Sequence, residues 1–295
     1  MVFLNSEGKF NENSYLLDDI IFRLPGQLSL YVVENNGMRM IIDVGEELAA
    51  RKIVKKLKNF RLYPIHKILL THSHFDHIQA LGKLKKLMNE VDIEVLASEK
   101  AIDNLKKPDK MNDYFKYKVD PIENVTPLKE GDIIDLNGLS LEILNFFGHT
   151  QDSIAIFDKK NKNIFVGDAI IDKVDPYTIM PEFVPPDFNE LEYLKTLKKL
   201  RNLKNELNSI SLAHFGVWKD EDFIKIVDNT ENFHLDAKES IIKWYNENPS
   251  LDFIALKYHD KFIPESKIHT KENIAGLKFE IEWFVDGLKF MGLIY

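Results

Sequence analysis

The chain has 295 residues, 44% of them hydrophobic and 29% charged, with 39 Lys+Arg against 47 Asp+Glu and a formal net charge of -8. This is the composition of an ordinary globular protein, long enough for one large domain or a domain with an appendage. The acidic balance speaks against wholesale nucleic-acid binding, and the lack of cysteine excludes disulfides, thiolate metal sites, iron–sulfur clusters and cysteine nucleophiles.

No stretch approaches the ~20 apolar residues of a membrane-spanning helix, and MVFLNSEGKF has no basic segment leading into an apolar one. The expectation is a cytoplasmic protein without membrane association. Residues 14–23 and 28–34 are β-rich runs, and Asn36-Gly37 signals a hairpin into Met38–Asp43. An amphipathic helix follows over 46–60, with Leu48, Ile53, Val54 and Leu57 on its apolar face and Arg51, Lys52, Lys55 and Lys56 opposite. Ile68–Leu70 reads as a buried strand, 78–88 as a helix, 91–97 as a strand, and Asp132–Phe146 as a hairpin turning at Asn137-Gly138.

The pattern then repeats, with strands at Ser153–Phe157 and Asn163–Val166, a helix over 188–204 and a last buried strand at Ile210–Ala213. Two similar halves of this kind predict a layered α/β fold, helices outside and sheets inside. Residues 172–188 carry four prolines and read as a pocket-shaping loop, in which Tyr177, Met180 and Phe183 are candidate lining residues, as is Trp218 further on. Beyond about residue 220 the signals are helical, over 220–229, 232–247, 250–258 and 272–291. The predicted division is therefore 1–219 and 220–295. Trp244, Tyr245, Phe253, Tyr258, Trp283 and Phe284 are expected to form the core of the appendage. The apolar stripe of 272–291 suits either sealing that appendage or pairing two chains as a homo-oligomer.

The strongest chemical signal is Thr71-His72-Ser73-His74-Phe75-Asp76-His77, where three of the nine histidines fall within six positions just after an apolar strand. His72 and His74 can converge on one cation from a turn, while Asp76 and His77 point toward a neighbouring one. Imidazole nitrogens and carboxylate oxygens are ligands that zinc, iron and manganese accept. His149, Asp168 and His214 each follow an apolar segment and could meet the cluster at one sheet edge. Asp43 either caps the turn at Gly45 and the helix beyond it or acts at the site. Thr71 and Thr150 are candidates for orienting imidazoles or capping loop backbone. His66, His234, His259 and His269 read as surface or packing residues.

The ordered set His-x-His-x-Asp-His, His, Asp, His, preceded by Asp43, resembles the metallo-β-lactamase-fold hydrolase superfamily over roughly residues 14–216. The helical C-terminal extension is similar to that of its glyoxalase II-like branch. The resemblance implies a four-layer αββα sandwich with two divalent metal ions, zinc with iron or manganese as alternatives, at one edge. It assigns His72, His74 and His149 to one metal, Asp76, His77 and His214 to the other, and Asp168 as a bridge. Two divalent cations bring four positive charges and the two aspartates cancel two, so a water between them is acidified toward a pKa of ~7. Asp76 is the expected catalytic residue, orienting that nucleophile. Asp152 stands where many relatives have glycine, and as an acidic group near the site it argues against a bulky anionic substrate from that side. The predicted activity is hydrolysis of a small ester, thioester or lactone. The alternatives are a phosphodiesterase or nuclease, a mononuclear iron dioxygenase using the first His pair with Asp168, and a ligand-binding protein with vestigial activity. The lysines (Lys83, Lys85, Lys86; Lys195, Lys198, Lys199) spread along helix faces rather than forming a nucleic-acid track.

Overall fold

The computed structural model describes residues 3–21 and 24–295 and contains two seven-stranded sheets. One runs β2 (Gly8–Lys9), β3 (Ser14–Asp18), β4 (Ser29–Asn35), β5 (Met38–Ile42), β6 (Lys67–Leu70), β7 (Glu94–Ser98) and β8 (Val125–Leu128) in that order. The other runs β1 (Phe3–Leu4), β16 (Gly216–Lys219), β15 (Ser209–Leu212), β12 (Asn163–Phe165), β11 (Ile154–Asp158), β10 (Leu139–Asn145) and β9 (Ile133–Leu136).

Alternation along the strands decides the layers. In β4, Leu30 and Val32 point one way and Tyr31 and Val33 the other; in β11, Ile154 and Ile156 oppose Ala155 and Phe157. The inward set, with Leu69, Leu141, Ile143 and Phe165, fills the space between the sheets. The outer face of the first sheet is covered by α1 (Ala50–Asn59) and α3 (Leu81–Leu87) through Ile53, Leu57 and Leu84. The outer face of the second is covered by α6 (Glu190–Leu203) and the first half of α7 (Asp220–Glu247) through Tyr193, Leu197, Phe223 and Ile226. This is the αββα sandwich.

The appendage has its own core. Ala237, Ile241 and Trp244 in the second half of α7 meet Ile254 and Tyr258 of α8 (Leu251–Phe262) and Leu277, Ile281, Phe284 and Leu288 of α9 (Ile274–Phe290). β13 (Asp172–Asp175) pairs with β14 (Thr178–Met180), and Met180 at its end and Phe183 beyond it join that core. The stripe of α9 thus seals the appendage.

Several expectations are corrected. The helix expected over 46–60 opens as a 3-10 turn at Glu47–Ala49, which leaves Leu48 80% exposed instead of on the apolar face. The two helices expected over 220–247 are one, because the apolar positions of α7 continue without a break while changing the core they serve. The supposed loop 172–188 contains the β13–β14 hairpin, and Ile210–Ala213 is not the last strand, since β16 follows it. Residues 22 and 23 of the run expected over 14–23 lie outside the described residues. No described helix is long and apolar enough to cross a membrane.

Candidate metal centre

Parallel pairing brings the chemistry to one edge. β5 and β6 run parallel, as do β12 and β15. Their carboxyl ends release Asp43, the 71–77 segment, Asp168 and His214 on the same side, where open α/β sheets gather ligands. The short helix α2 (Phe75–Ile78) begins right after His74, so its first turn carries Asp76 and His77. The loop leaving β10 brings His149. Its backbone is tight: Gly148 has φ +141°, and a Cβ there would stand 2.5 Å from the Tyr193 Cα on α6.

Two overlapping groups result, His72–His74–His149–Asp168 and Asp76–His77–Asp168–His214, with the donor atoms of each group within 4.8 Å of one another. Asp168 Oδ2 is common to both, 3.2 Å from His77 Nε2 and His214 Nε2, 3.7 Å from His149 Nε2 and 3.8 Å from His72 Nε2. Asp76 Oδ2 lies 3.4 Å from His214 Nε2 and 3.6 Å from His77 Nε2. His74 turns its Nδ1 inward, 3.0 Å from His149 Nε2.

Around this cage, a second set of contacts fixes the ring orientations. Asp43 accepts from the Thr71 backbone N–H and hydroxyl, both at 2.8 Å, and its Oδ2 faces His77 Nδ1 at 2.8 Å. The Thr71 hydroxyl also sits 3.1 Å from His72 Nδ1. His214 Nδ1 is 2.7 Å from the carbonyl of Gln27. Glu182 Oε2 faces His149 Nδ1 at 3.3 Å, while its other oxygen accepts from the Ile171 N–H. Asp43 therefore works on His77, and the turn-capping role belongs to Asp19, which accepts from the Glu46 N–H beside a Gly45 that has no room for a Cβ. Thr150 touches no imidazole. It donates to Asp152 and meets the Ser153 hydroxyl, holding the loop.

Carboxylates and imidazoles in the cage set one another's charge. Burial, then the neighbouring His77, pushes His72 well below the usual imidazole range; burial, then His72, does the same to His74. Burial also pulls on His77 and His214, but the carboxylates of Asp168 and Asp76 outweigh it, holding His77 well above its usual value and His214 up at about 10. Conversely, burial raises Asp168 and Asp76, but the adjoining imidazoles outweigh it and keep both ionised.

A cavity of about 480 Å³ opens on His74, Asp76, His149, Asp168 and His214. Of the expected pocket residues, Met180 lines it. Tyr177 does not: it sits in the β13–β14 turn and is 47% exposed. Phe183 is buried beneath α9, where Gly287 abuts its carbonyl. Trp218 is buried in β16 and stacked on Phe3, ring centroids 4.1 Å apart. Asp152 is also elsewhere than expected; buried, it accepts from Ser73, Thr150 and Asn104 and is not part of the cavity wall. The appendage supplies walls that sequence reasoning leaves unassigned, Gly276, Phe279 and Glu280 among them, together with His269, expected only as a surface or packing residue, and Trp283 and Phe284, expected only in the appendage core. Sequence reasoning also misses Glu182, although a lone acid in the apolar run Ile179–Val184 is a visible signal of a buried partner.

Comparison with known proteins agrees with this geometry. A "Probable metallo-hydrolase" of Streptococcus pyogenes serotype M6 is 27% identical over 166 residues, 55% of this chain and 69% of that protein. A "Hydroxyacylglutathione hydrolase" of Bartonella tribocorum is 26% identical over 137 residues, 46% of this chain but only 45% of that protein's length. A crystal structure of a metallo-beta-lactamase family protein from Thermus thermophilus superposes with a TM-score of 0.67 at 19% identity, covering 95% of this chain and 93% of that one. The model of the Metallo-beta-lactamase superfamily matches residues 23–214, the stretch that holds every residue of the two ligand groups. On that match, with the αββα layers and the clustered edge, the chain belongs to the metallo-beta-lactamase superfamily.

Proposed function

We propose that the chain is a metal-dependent hydrolase that opens a small ester, thioester or lactone. The observation that carries this reading is the convergence of seven His and Asp side chains into two groups sharing Asp168 on one cavity wall. The donor set suits divalent cations: His72 Nε2 and Asp168 Oδ1 are buried without a hydrogen-bond partner, a costly state unless something else engages them. In this reading His72, His74 and His149 hold one cation, Asp76, His77 and His214 the other, and Asp168 both. Bound there, two divalent cations supply a water acidified toward a pKa of ~7 and a Lewis acid for the substrate carbonyl.

Asp76 orients the attacking water and holds its proton on the way to the leaving oxygen or sulfur. Asp43, Thr71 and Glu182 keep the imidazoles aimed, and apolar side chains form the far wall of the cavity. Zinc is the proposed metal, and iron or manganese suits the same donors. The intact second group favours two cations over a single-iron site. The hydrolase relatives support the reaction class.

The test is metal analysis of the purified protein together with an ester, thioester and lactone panel. About two equivalents of metal per chain, and turnover lost on chelation and restored by zinc, are expected. A protein that binds no zinc, iron or manganese would overturn the reading.

A further inference from the structure

The cavity beside the ligand groups differs sharply on its two sides. One side carries the His and Asp donors; the other is apolar and comes largely from the appendage and the β14 exit, with Phe115, Met180, Val184, Trp283 and Phe284 in its wall. An aromatic chain joins the two sides: the His74 ring meets Phe115 at 4.9 Å, and Phe115 meets Trp283 at 6.0 Å, both edge-on. The ionisable pair on the appendage side is His269 and Glu280, 3.3 Å apart. Among the described lining residues none is Lys or Arg, and the carboxylate of Glu280 disfavours a second anion. About 480 Å³ is the size of a small-molecule site.

On these grounds, and resting on the hydrolase reading above, we propose that the cavity takes an uncharged, apolar acyl chain, laid between the metal edge and α9. The substrate class is then a neutral medium-chain acyl ester or thioester. Water adds its oxygen to the acyl carbon, the C–O or C–S bond breaks, and the leaving alcohol or thiol takes a proton, giving the carboxylic acid. Nothing is oxidised or reduced.

Gly276 is the control point. It lines the cavity near the start of α9, and a Cβ there would meet only the His269 ring, at 3.6 Å, an ordinary contact. A larger side chain at this position therefore starts beside His269 of the cavity wall without strain on the backbone, and leucine is also a better helix former than glycine.

The experiment compares the zinc-loaded wild type with Gly276→Leu on p-nitrophenyl acetate, hexanoate, decanoate and the mono-ester of adipate, whose chain ends in a carboxylate. It also titrates 1-octanol, a neutral non-substrate, by calorimetry. Wild-type kcat/KM should rise by up to about fourfold per methylene until the cavity is full, the equivalent of about 0.8 kcal/mol each, and hexanoate should exceed adipate at least tenfold. Gly276→Leu should lower the decanoate-to-acetate ratio at least tenfold and weaken 1-octanol binding by a similar factor. If no ester is turned over, the ester branch of the hydrolase reading fails, while 1-octanol binding still decides whether the cavity is an acyl site. If acetate is turned over but chain length has no effect and 1-octanol does not bind, the cavity inference alone fails. Arg23 adjoins Leu24 in the chain and lies outside the described residues, so Arg23→Gln is included. A preference for adipate that this variant abolishes would replace the apolar site with an anion site.

Discussion

Glu182 Oε2 stands 3.3 Å from His149 Nδ1, and both side chains are sealed from solvent. Burial raises the Glu182 carboxyl above its usual range, opposed by His149, so the imidazole is its electrostatic counterpart. A carboxylate behind a metal-binding histidine fixes its tautomer and raises its basicity. Glu182→Gln should therefore weaken metal affinity about tenfold to a hundredfold, measured by competition with a chromophoric chelator. The amide can still accept from the Ile171 N–H, so the fold should be retained. Unchanged affinity would assign Glu182 a packing role only.

Asp43 accepts three donors with two oxygens, from Thr71 N–H, Thr71 O–H and the His77 ring. Asparagine keeps one acceptor oxygen and turns an amino group on the others. Asp43→Asn should destabilise the chelated protein by about 1–3 kcal/mol in urea denaturation, before any metal is involved. A midpoint equal to wild type would show that these contacts contribute nothing measurable.

The pH dependence of stability has a handle outside the two donor groups. On α6, Glu190 accepts from His234 at 3.0 Å and from Lys238 at 2.5 Å, both on α7. The His234 contact first, then Lys238, outweighs burial and pulls Glu190 from 4.5 down to about 2. A carboxyl depressed in the folded state stabilises above its unfolded value and loses that contribution as pH falls through its folded one. Glu190→Gln should thus melt lower than wild type at pH 7, and the two curves should converge between pH 4.5 and about 2. Partial exposure keeps the effect modest and salt-sensitive. A difference independent of pH would remove the ion pair from the explanation.

Gly287 on α9 abuts the Phe183 carbonyl so closely that an added Cβ would overlap it. Gly287→Ala should push α9 away from the β14 exit and destabilise the protein by about 1–3 kcal/mol, seen as a lower melting temperature. Proteolysis should then cut first in the appendage. Wild-type melting and cleavage would show that the contact is slack.

The donors are legible because His72, His74, Asp76 and His77 are packed into one short segment, while His149, Asp168 and His214 each close an apolar strand. Local spacing carries that signal. The partners of those donors are harder to see. Glu182 lies 33 residues from His149 and Gln27 acts through a backbone carbonyl, so no periodicity marks either. Leu48 is misplaced when helical spacing is read through a 3-10 turn. Closeness to His214 in sequence suggests Trp218 for the pocket, yet alternation in β16 turns it to the outer core. Aromatic size identifies most of the appendage core, but Trp283, expected there, stands at the cavity instead. Which of its rings reach the cavity depends on how α9 docks, and its close approach to Phe183 passes through Gly287, a residue with no side chain to read.

The 28 residues of α7 make a rod roughly 42 Å long. One end is embedded under the second sheet through Phe223 and Ile226, and the other in the appendage through Ile241 and Trp244. No joint interrupts it, so the roof over the donors is cantilevered from the sandwich rather than hinged to it. Swinging α7 itself aside would mean breaking a continuous hydrogen-bond ladder, so the appendage core keeps a fixed bearing on the second sheet.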